Sequence, residues 1–199
     1  MPNRILVLFA HPLYEKSRIH KSLVNHITEG VTFHDLYETY PEFNINVEKE
    51  KDLLLSHDII IWQHPIYWYS CPAILKQWID MVLEVGWAYG PGGTALAGKL
   101  VLQVISTGGN RATYKADGFH HNTIHEFLAP FIRTAELCKM RYLPPFVAHG
   151  SHRATPEDIV TFGRDYASIL DFLKRQNPDF EHLEKYEYIN DWFTENGKI

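Results

Sequence analysis

A chain of 199 residues that is 45% hydrophobic and 22% charged can bury a sizeable core as a single domain. Its net charge of -5 and pI near 6.2 exclude nucleic acid as the main partner, because displacing counterions from phosphates needs a basic face. Cys71 and Cys138 have no metal or redox spacing, and the early apolar run over 5–10 is too short for a signal or membrane segment, so a soluble, cytoplasmic protein is expected.

The first strand is predicted over residues 4–10, followed by a helix over 17–28 with Ile19, Leu23, Val24 and Ile27 on one face. The connecting segment, HPLYEKSRIHKSL, has no glycine before its helix, so it cannot be a dinucleotide fingerprint, which needs close backbone approach. It offers His11, Ser17, Arg18 and the free amides of a helix start, a set suited to a phosphate monoester at the positive end of the helix dipole. The alternative is that Ser17 is only an N-cap and the basic residues a solvated face. A second strand is predicted over 31–36, irregular chain over 37–46, and a charged helix over 47–55. Ile59, Ile60, Ile61 and Trp62 then read as a third strand, continuously apolar because both of its faces are covered. Pro65 and Pro72 bracket a loop carrying Tyr67, Trp68 and Tyr69, and Pro72 opens a helix ending near Gly86, with Ile74, Leu75, Trp78, Ile79, Val82 and Leu83 at helical spacing. Aromatics at the carboxyl end of a parallel strand stand where open α/β sheets bind ligands, and they suit a planar cofactor.

Residues 93–99, GTALAGK, imitate a phosphate loop, but Leu100 replaces the required hydroxyl residue and the stretch leads into a strand, so 90–98 reads as a mobile surface loop. The fourth strand, over 100–105, ends in Ser106, Thr107, Gly108 and Gly109. Adjacent glycines let amides approach a ligand, and the hydroxyl pair can bond ring carbonyls or ribityl oxygens, although a bland turn explains the same residues. A helix is predicted over 123–137 and a fifth strand over 141–147. The last long helix starts at the cap Thr155, marked by Pro156 and Asp158, and runs to Arg175. These βα units fit a doubly wound, flavodoxin-like, five-stranded parallel sheet in three α/β/α layers. The loops after strands one, three and four leave the same edge and together suit a flavin mononucleotide. His121 and His125 lie four apart without an HExxH pattern or an acidic third ligand, so no metal is expected. Residues 1–176 are expected to form the domain and 177–199 an extension. The extension carries six acids and two lysines but also Phe180, Leu183, Tyr186, Tyr188, Ile189, Trp192 and Phe193. It is too apolar for a solvated tail and should pack on the domain or a dimer mate, with docking to an external partner as the alternative.

AHP at 10–12, QHPIYWYSCPAILKQWID at 63–80, GWAYGPGG at 86–93 and STGG at 106–109 resemble the flavodoxin-like NAD(P)H:quinone oxidoreductases, and the likeness covers nearly the whole chain. YPEFNI at 40–45 and YLPPF at 142–146 are most similar to the ancillary subunits of glutathione-regulated potassium-efflux antiporters. The resemblance implies bound FMN, with FAD as an alternative, and two-electron transfer from NAD(P)H to quinones. It also implies a homodimer with a flavin near each interface and a regulatory role on a membrane antiporter, which would hold the protein peripheral to the inner membrane. Residue by residue, it implies phosphate and ribityl contacts at His11, Ser17, Arg18, Ile19 and His20, ring contacts at Ile66, Tyr67, Trp68 and Tyr69, and further contacts at Ser106, Thr107, Gly108 and Gly109. Tyr114 and His120 take the role of stabilising charge during hydride transfer, whereas composition alone would make them solvated residues of a polar loop. His20 stands where relatives commonly carry asparagine, and Ser106 where they commonly carry threonine. The alternative to an enzyme is a flavin-binding regulatory subunit with little turnover.

Overall fold

The apolar run Ile5–Phe9 forms β1, and all of it is buried at the centre of a parallel sheet. The computed structural model describes residues 1–175, 178 and 183–196. Beside β1 lie β2 (Val31–Asp35) and β3 (Ile59–Pro65), then β4 (Leu100–Ser106), which pairs with both β5 (Arg141–Tyr142) and β6 (Phe146–Ala148). The order is β2-β1-β3-β4-β5 and every pairing is parallel. This is the predicted flavodoxin-like winding. The helices are α1 (Arg18–Asn25), α2 (Leu36–Thr39), α3 (Val47–Leu55), α4 (Ala73–Val82), α5 (Ile124–Leu137), α6 (Pro156–Lys174) and α7 (Ile189–Asn196).

The pleat of β1 divides the core. Ile5, Val7 and Phe9 join Ile19 and Leu23 of α1 and Tyr166, Ile169 and Leu170 of α6, while Leu6, Leu8 and Ala10 join Leu54 of α3, Trp78 of α4 and Phe131 of α5. On the second side Glu50 is fully buried. His34 Nε2, Tyr40 Oη and Trp78 Nε1 approach its carboxylate at 2.9, 2.5 and 2.8 Å. Burial pushes this carboxyl up, but the surrounding donors outweigh it and hold the pKa below the ordinary glutamate value.

Several boundaries differ from the sequence expectation for local reasons. The strand predicted over 141–147 is two pieces, because Pro144 and Pro145 have no amide hydrogen for the ladder. The second strand stops at Asp35 because that carboxylate caps α2, accepting from the amides of Tyr37 and Glu38; residues 37–46 are therefore not wholly irregular. Helix α1 stops at Asn25, short of 28, where the His26 ring bonds the Ser22 carbonyl. Helix α4 stops at Val82, and residues 84–89 make a separate turn closed by the Ala88 amide on the Glu84 carbonyl.

Residues 183–196 straddle the β6 edge, with Leu183 and Ile189 buried and Trp192 against Phe172 on the α6 side, and Tyr188 buried on the α5 side. Asn190 is inserted at the outer edge of β6. Its Oδ1 accepts from the Val147 amide at 2.9 Å and its Nδ2 donates to the Val147 carbonyl at 3.3 Å, as a neighbouring peptide group would. The predicted start of the extension at 177 and Phe180 lie outside the described residues.

Candidate active site

The loops leaving β1, β3, β4 and β6 enclose a cavity of about 430 Å³, within the range of small-molecule sites. His11 lies on its wall. Its Nδ1 accepts from the Leu13 amide at 3.2 Å, which leaves the proton on Nε2. Burial lowers its pKa to about 4, so near neutral pH the ring is an uncharged donor. Ser17 is the N-cap of α1, its hydroxyl accepting from the His20 amide. The residues that follow, Arg18 and Ile19, line the cavity, and among the described residues their amides have no partner. Lys16 adds a positive charge to the same wall, so the start of α1 is an anion site by dipole, amides and side chain together. Arg18 has a second task. Its guanidinium donates to the carbonyls of Ala154 and Ser151, each at 3.1 Å, and so ties α1 to the loop after β6.

The segment after β3 is a two-residue hairpin. Tyr67 and Ser70 exchange backbone hydrogen bonds of 3.0 Å each, with Trp68 (φ 49°) and Tyr69 (φ 65°) both left-handed between them. Such turns ordinarily hold Asn-Gly, and a bulky residue there costs on the order of 1–2 kcal/mol. Ile66 and Tyr67 line the cavity; Trp68 and Tyr69 do not. Trp68 is 94% exposed, whereas the Tyr69 ring lies 5.0 Å from Phe127 and 5.6 Å from His120.

The third wall is the end of β4. Ser106 and Gly108 line the cavity, but Thr107 turns inward: its hydroxyl donates to the Gly109 carbonyl at 2.9 Å and accepts from His149 Nδ1 at 3.1 Å, and its amide donates to Ala148. The hydroxyl left to meet a ligand is therefore that of Ser106, not a pair. Gly108 and Gly109 permit close packing, since a Cβ would lie 2.7 Å from His152 Nε2 at the first and 2.4 Å from Thr113 Oγ1 at the second. The amides of Gly108 and Gly109 are without partners among the described residues.

His20 stands behind this wall, fully buried. Tyr166 Oη donates to Gln63 Oε1 at 2.9 Å, which turns the Gln63 amide nitrogen toward His20 Nδ1 at 3.5 Å. His20 must then carry its proton on Nε2 and donate it to Ser106 Oγ at 3.0 Å, leaving the Ser106 proton for the cavity. Burial, with His11 and His64 nearby, holds the His20 pKa well below its ordinary value, which keeps this arrangement neutral. His20 and Ser106, both singled out in the sequence, are thus bonded to each other.

Tyr114 and His120 are brought together, their rings stacked at 4.4 Å and 17°. Both lie against Gly109, where a Cβ would be 3.3 Å from the Tyr114 ring and 3.5 Å from His120 Nε2. Neither lines the cavity. Tyr114 is buried rather than solvated, and among the described residues His120 Nδ1 is buried without a hydrogen-bond partner. Sequence reasoning missed Leu13, Lys16, Pro65, Ser151 and His152 as lining residues. For Ser151 and His152 a signal existed, because the loop after the fifth strand leaves the same edge as the others. The whole arrangement fits a phosphorylated planar molecule: an anion site at α1, a neutral donor on either side, close-approach amides, and aromatic rings beyond. Among the described residues no cluster of side chains could hold a metal ion.

The sequence model of a family described by its flavodoxin-like fold matches residues 3–170. The chain is 44% identical over 176 residues to an NAD(P)H oxidoreductase of Bacillus subtilis, YrkL, itself uncharacterised, spanning 87% of this chain and 99% of that protein. It is 39% identical over 171 residues to KefG, an ancillary protein of a glutathione-regulated potassium-efflux system in Salmonella, spanning 85% and 93% of the two chains. Among solved structures, general stress protein 14 of Treponema denticola, in complex with FMN, superposes with a TM-score of 0.81 at 41% identity over 85% of this chain and 99% of that one. An NADPH-quinone reductase from P. pentosaceus superposes at 0.76 with 35% identity over 84% and 97%.

Proposed function

The chain belongs to this flavodoxin-like family, and from that membership we propose that it is an FMN-dependent oxidoreductase passing two electrons from NAD(P)H to quinones. The observation that carries the reading is the convergence of the α1 start, the Tyr67–Ser70 hairpin and the Ser106–Gly109 turn on one edge of the sheet. The FMN complex of the Treponema protein and the NADPH-quinone reductase likeness support it.

FMN, when bound, supplies the hydride chemistry. Arg18 and Ile19 amides, with Lys16, hold the terminal phosphate, and His11 and Ser106 donate to its ribityl side. The hairpin bounds the ring. Its Trp68 and Tyr69 amides, free of partners among the described residues, would be available as donors to negative charge on the flavin. Tyr114 and His120 donate to the same charge from the Gly109 side. The exposed rings of Trp68 and Phe119 support a homodimer that covers them. The likeness to KefG supports an ancillary role on a potassium-efflux antiporter. No helix among the described residues is long and apolar enough to cross a membrane, so a cytoplasmic protein would reach that antiporter through protein contact.

Titration with FMN and FAD, followed by quinone-dependent NAD(P)H oxidation, tests the reading. FMN should bind at least as tightly as FAD, because the α1 site suits a terminal phosphate, and quinone should accelerate NAD(P)H consumption. Binding of neither flavin by calorimetry or fluorescence would overturn it. Tight FMN binding without turnover would favour a flavin-bearing regulatory subunit, the second reading that the KefG likeness supports.

A further inference from the structure

Residues 183–196 lie beyond the span matched by the family, which stops at 170, yet they reach the loop carrying Tyr114 and His120. Arg111 opens that loop in a short 3-10 turn, Arg111–Thr113, and its carbonyl accepts from the Tyr114 amide at 3.2 Å. The guanidinium grips the extension. Nη1 and Nη2 donate to the two oxygens of Asp191 at 2.7 and 2.9 Å, Nη2 also donates to Glu187 at 2.6 Å, and Cζ lies 4.5 Å from the Tyr188 ring centroid. Rings continue the contact inward, Tyr188 to His149 at 5.4 Å and His149 to Tyr114 at 5.9 Å.

These ion pairs are partly exposed, and such pairs contribute little to overall stability. Their importance is geometric, because a forked guanidinium on a carboxylate fixes direction as well as distance. The extension does not need Arg111 to stay in place: Leu183 and Ile189 are buried, and Asn190 is bonded to Val147. By hydrogen bonding, the loop is the less anchored partner. Among the described residues, the hydrogen bonds of 110–121 join residues of that same loop, except those Arg111 makes to Glu187 and Asp191.

We propose that residues 183–196 brace the active site, and that Arg111, Glu187 and Asp191 are positioning residues that set Tyr114 and His120 for hydride transfer. The proposal rests on the flavin-dependent reading above. It is tested on FMN-loaded protein with the shape-conserving double variant Glu187→Gln/Asp191→Asn, with Arg111→Leu, and with Arg111→Lys, which keeps the charge but not the fork. FMN affinity and thermal midpoint should stay close to those of the unaltered protein. The double variant and Arg111→Leu should lower kcat about tenfold with a smaller change in KM for quinone, and Arg111→Lys should fall between. Amide hydrogen exchange over 111–120 should accelerate in the same order. Unchanged kcat with unchanged exchange overturns the brace, and so does a kcat that falls only in proportion to lost FMN or lost fold. If unaltered holoprotein fails to oxidise NAD(P)H, the enzymatic reading is what fails, and exchange over 111–120 alone then decides whether the clamp holds the loop.

Discussion

Ser106 owes its free hydroxyl proton to residues that never reach the cavity: Tyr166 orients Gln63, Gln63 orients His20, and His20 donates to the serine oxygen. Tyr114 and His120 differ in kind, since they sit beside the cavity and act, under the proposed function, only as charge develops. Replacing Tyr114 with Phe or His120 with Gln should therefore lower kcat while leaving the flavin spectrum and thermal midpoint nearly unchanged. A donor in a closed oxyanion site is worth on the order of 2–4 kcal/mol, and donors that stand beside the cavity rather than in its lining should be worth less, so a loss of roughly tenfold is expected. Full quinone-reductase rates in both variants at saturating NAD(P)H would remove this role from the pair. The chemical types at these positions were legible in the sequence. The pairing of His20 with Ser106, 86 positions apart, was not, because no local pattern records which buried donor meets which acceptor.

Among the elements, the hairpin after β3 sets the sharpest conflict between local preference and position. Trp68 is left-handed and almost wholly exposed, so its ring gives little packing in return for the backbone strain. Trp68→Gly relieves a left-handed conformation worth about 1–2 kcal/mol, offset by about 0.5–1 kcal/mol of extra freedom in the unfolded chain. The variant should melt at the same temperature or slightly higher, yet retain FMN more weakly. A lower melting temperature with unchanged flavin affinity would make Trp68 a structural residue. The aromatic composition of this loop was readable, but its turn geometry was hidden because Trp-Tyr carries none of the Asn-Gly signature of such turns. The buried strands were readable for the opposite reason: cover on both faces leaves a continuous apolar run. In the fifth strand the same apolar reading overran Pro144 and Pro145, whose missing amides divide it. The contacts of Arg111 with Asp191 and of Asn190 with Val147 span 80 and 43 positions, beyond the reach of any periodicity.

At the scale of the whole molecule, four histidines among the described residues are held neutral by burial: His11, His64 and His149 at about 4, and His20 well below its ordinary value. Unfolded, each would take up a proton near 6.5, so between that pH and about 4 these rings bind more protons in the unfolded chain than in the folded one. Stability must then rise with pH inside the window and fall on acidification, by roughly 1.4 kcal/mol per histidine for each pH unit crossed in full. Glu50 acts in the same direction lower down: its lowered pKa gives stability above the ordinary glutamate range that is lost as pH falls through the folded value. The thermal midpoint should be nearly flat from pH 7 to 8 and drop continuously from 6.5 toward 4; a flat midpoint between 6.5 and 5 would mean that the rings titrate freely in the folded protein. The side chain of Asn190 has a consequence of another sort. With both peptide groups of Val147 occupied by it, a foreign strand finds neither donor nor acceptor there on which to begin pairing, so that side of the sheet is guarded against growth into aggregates under crowding. Substituting Ala at 190 would reopen that margin, and the damage would appear first as a fall in solubility at high concentration.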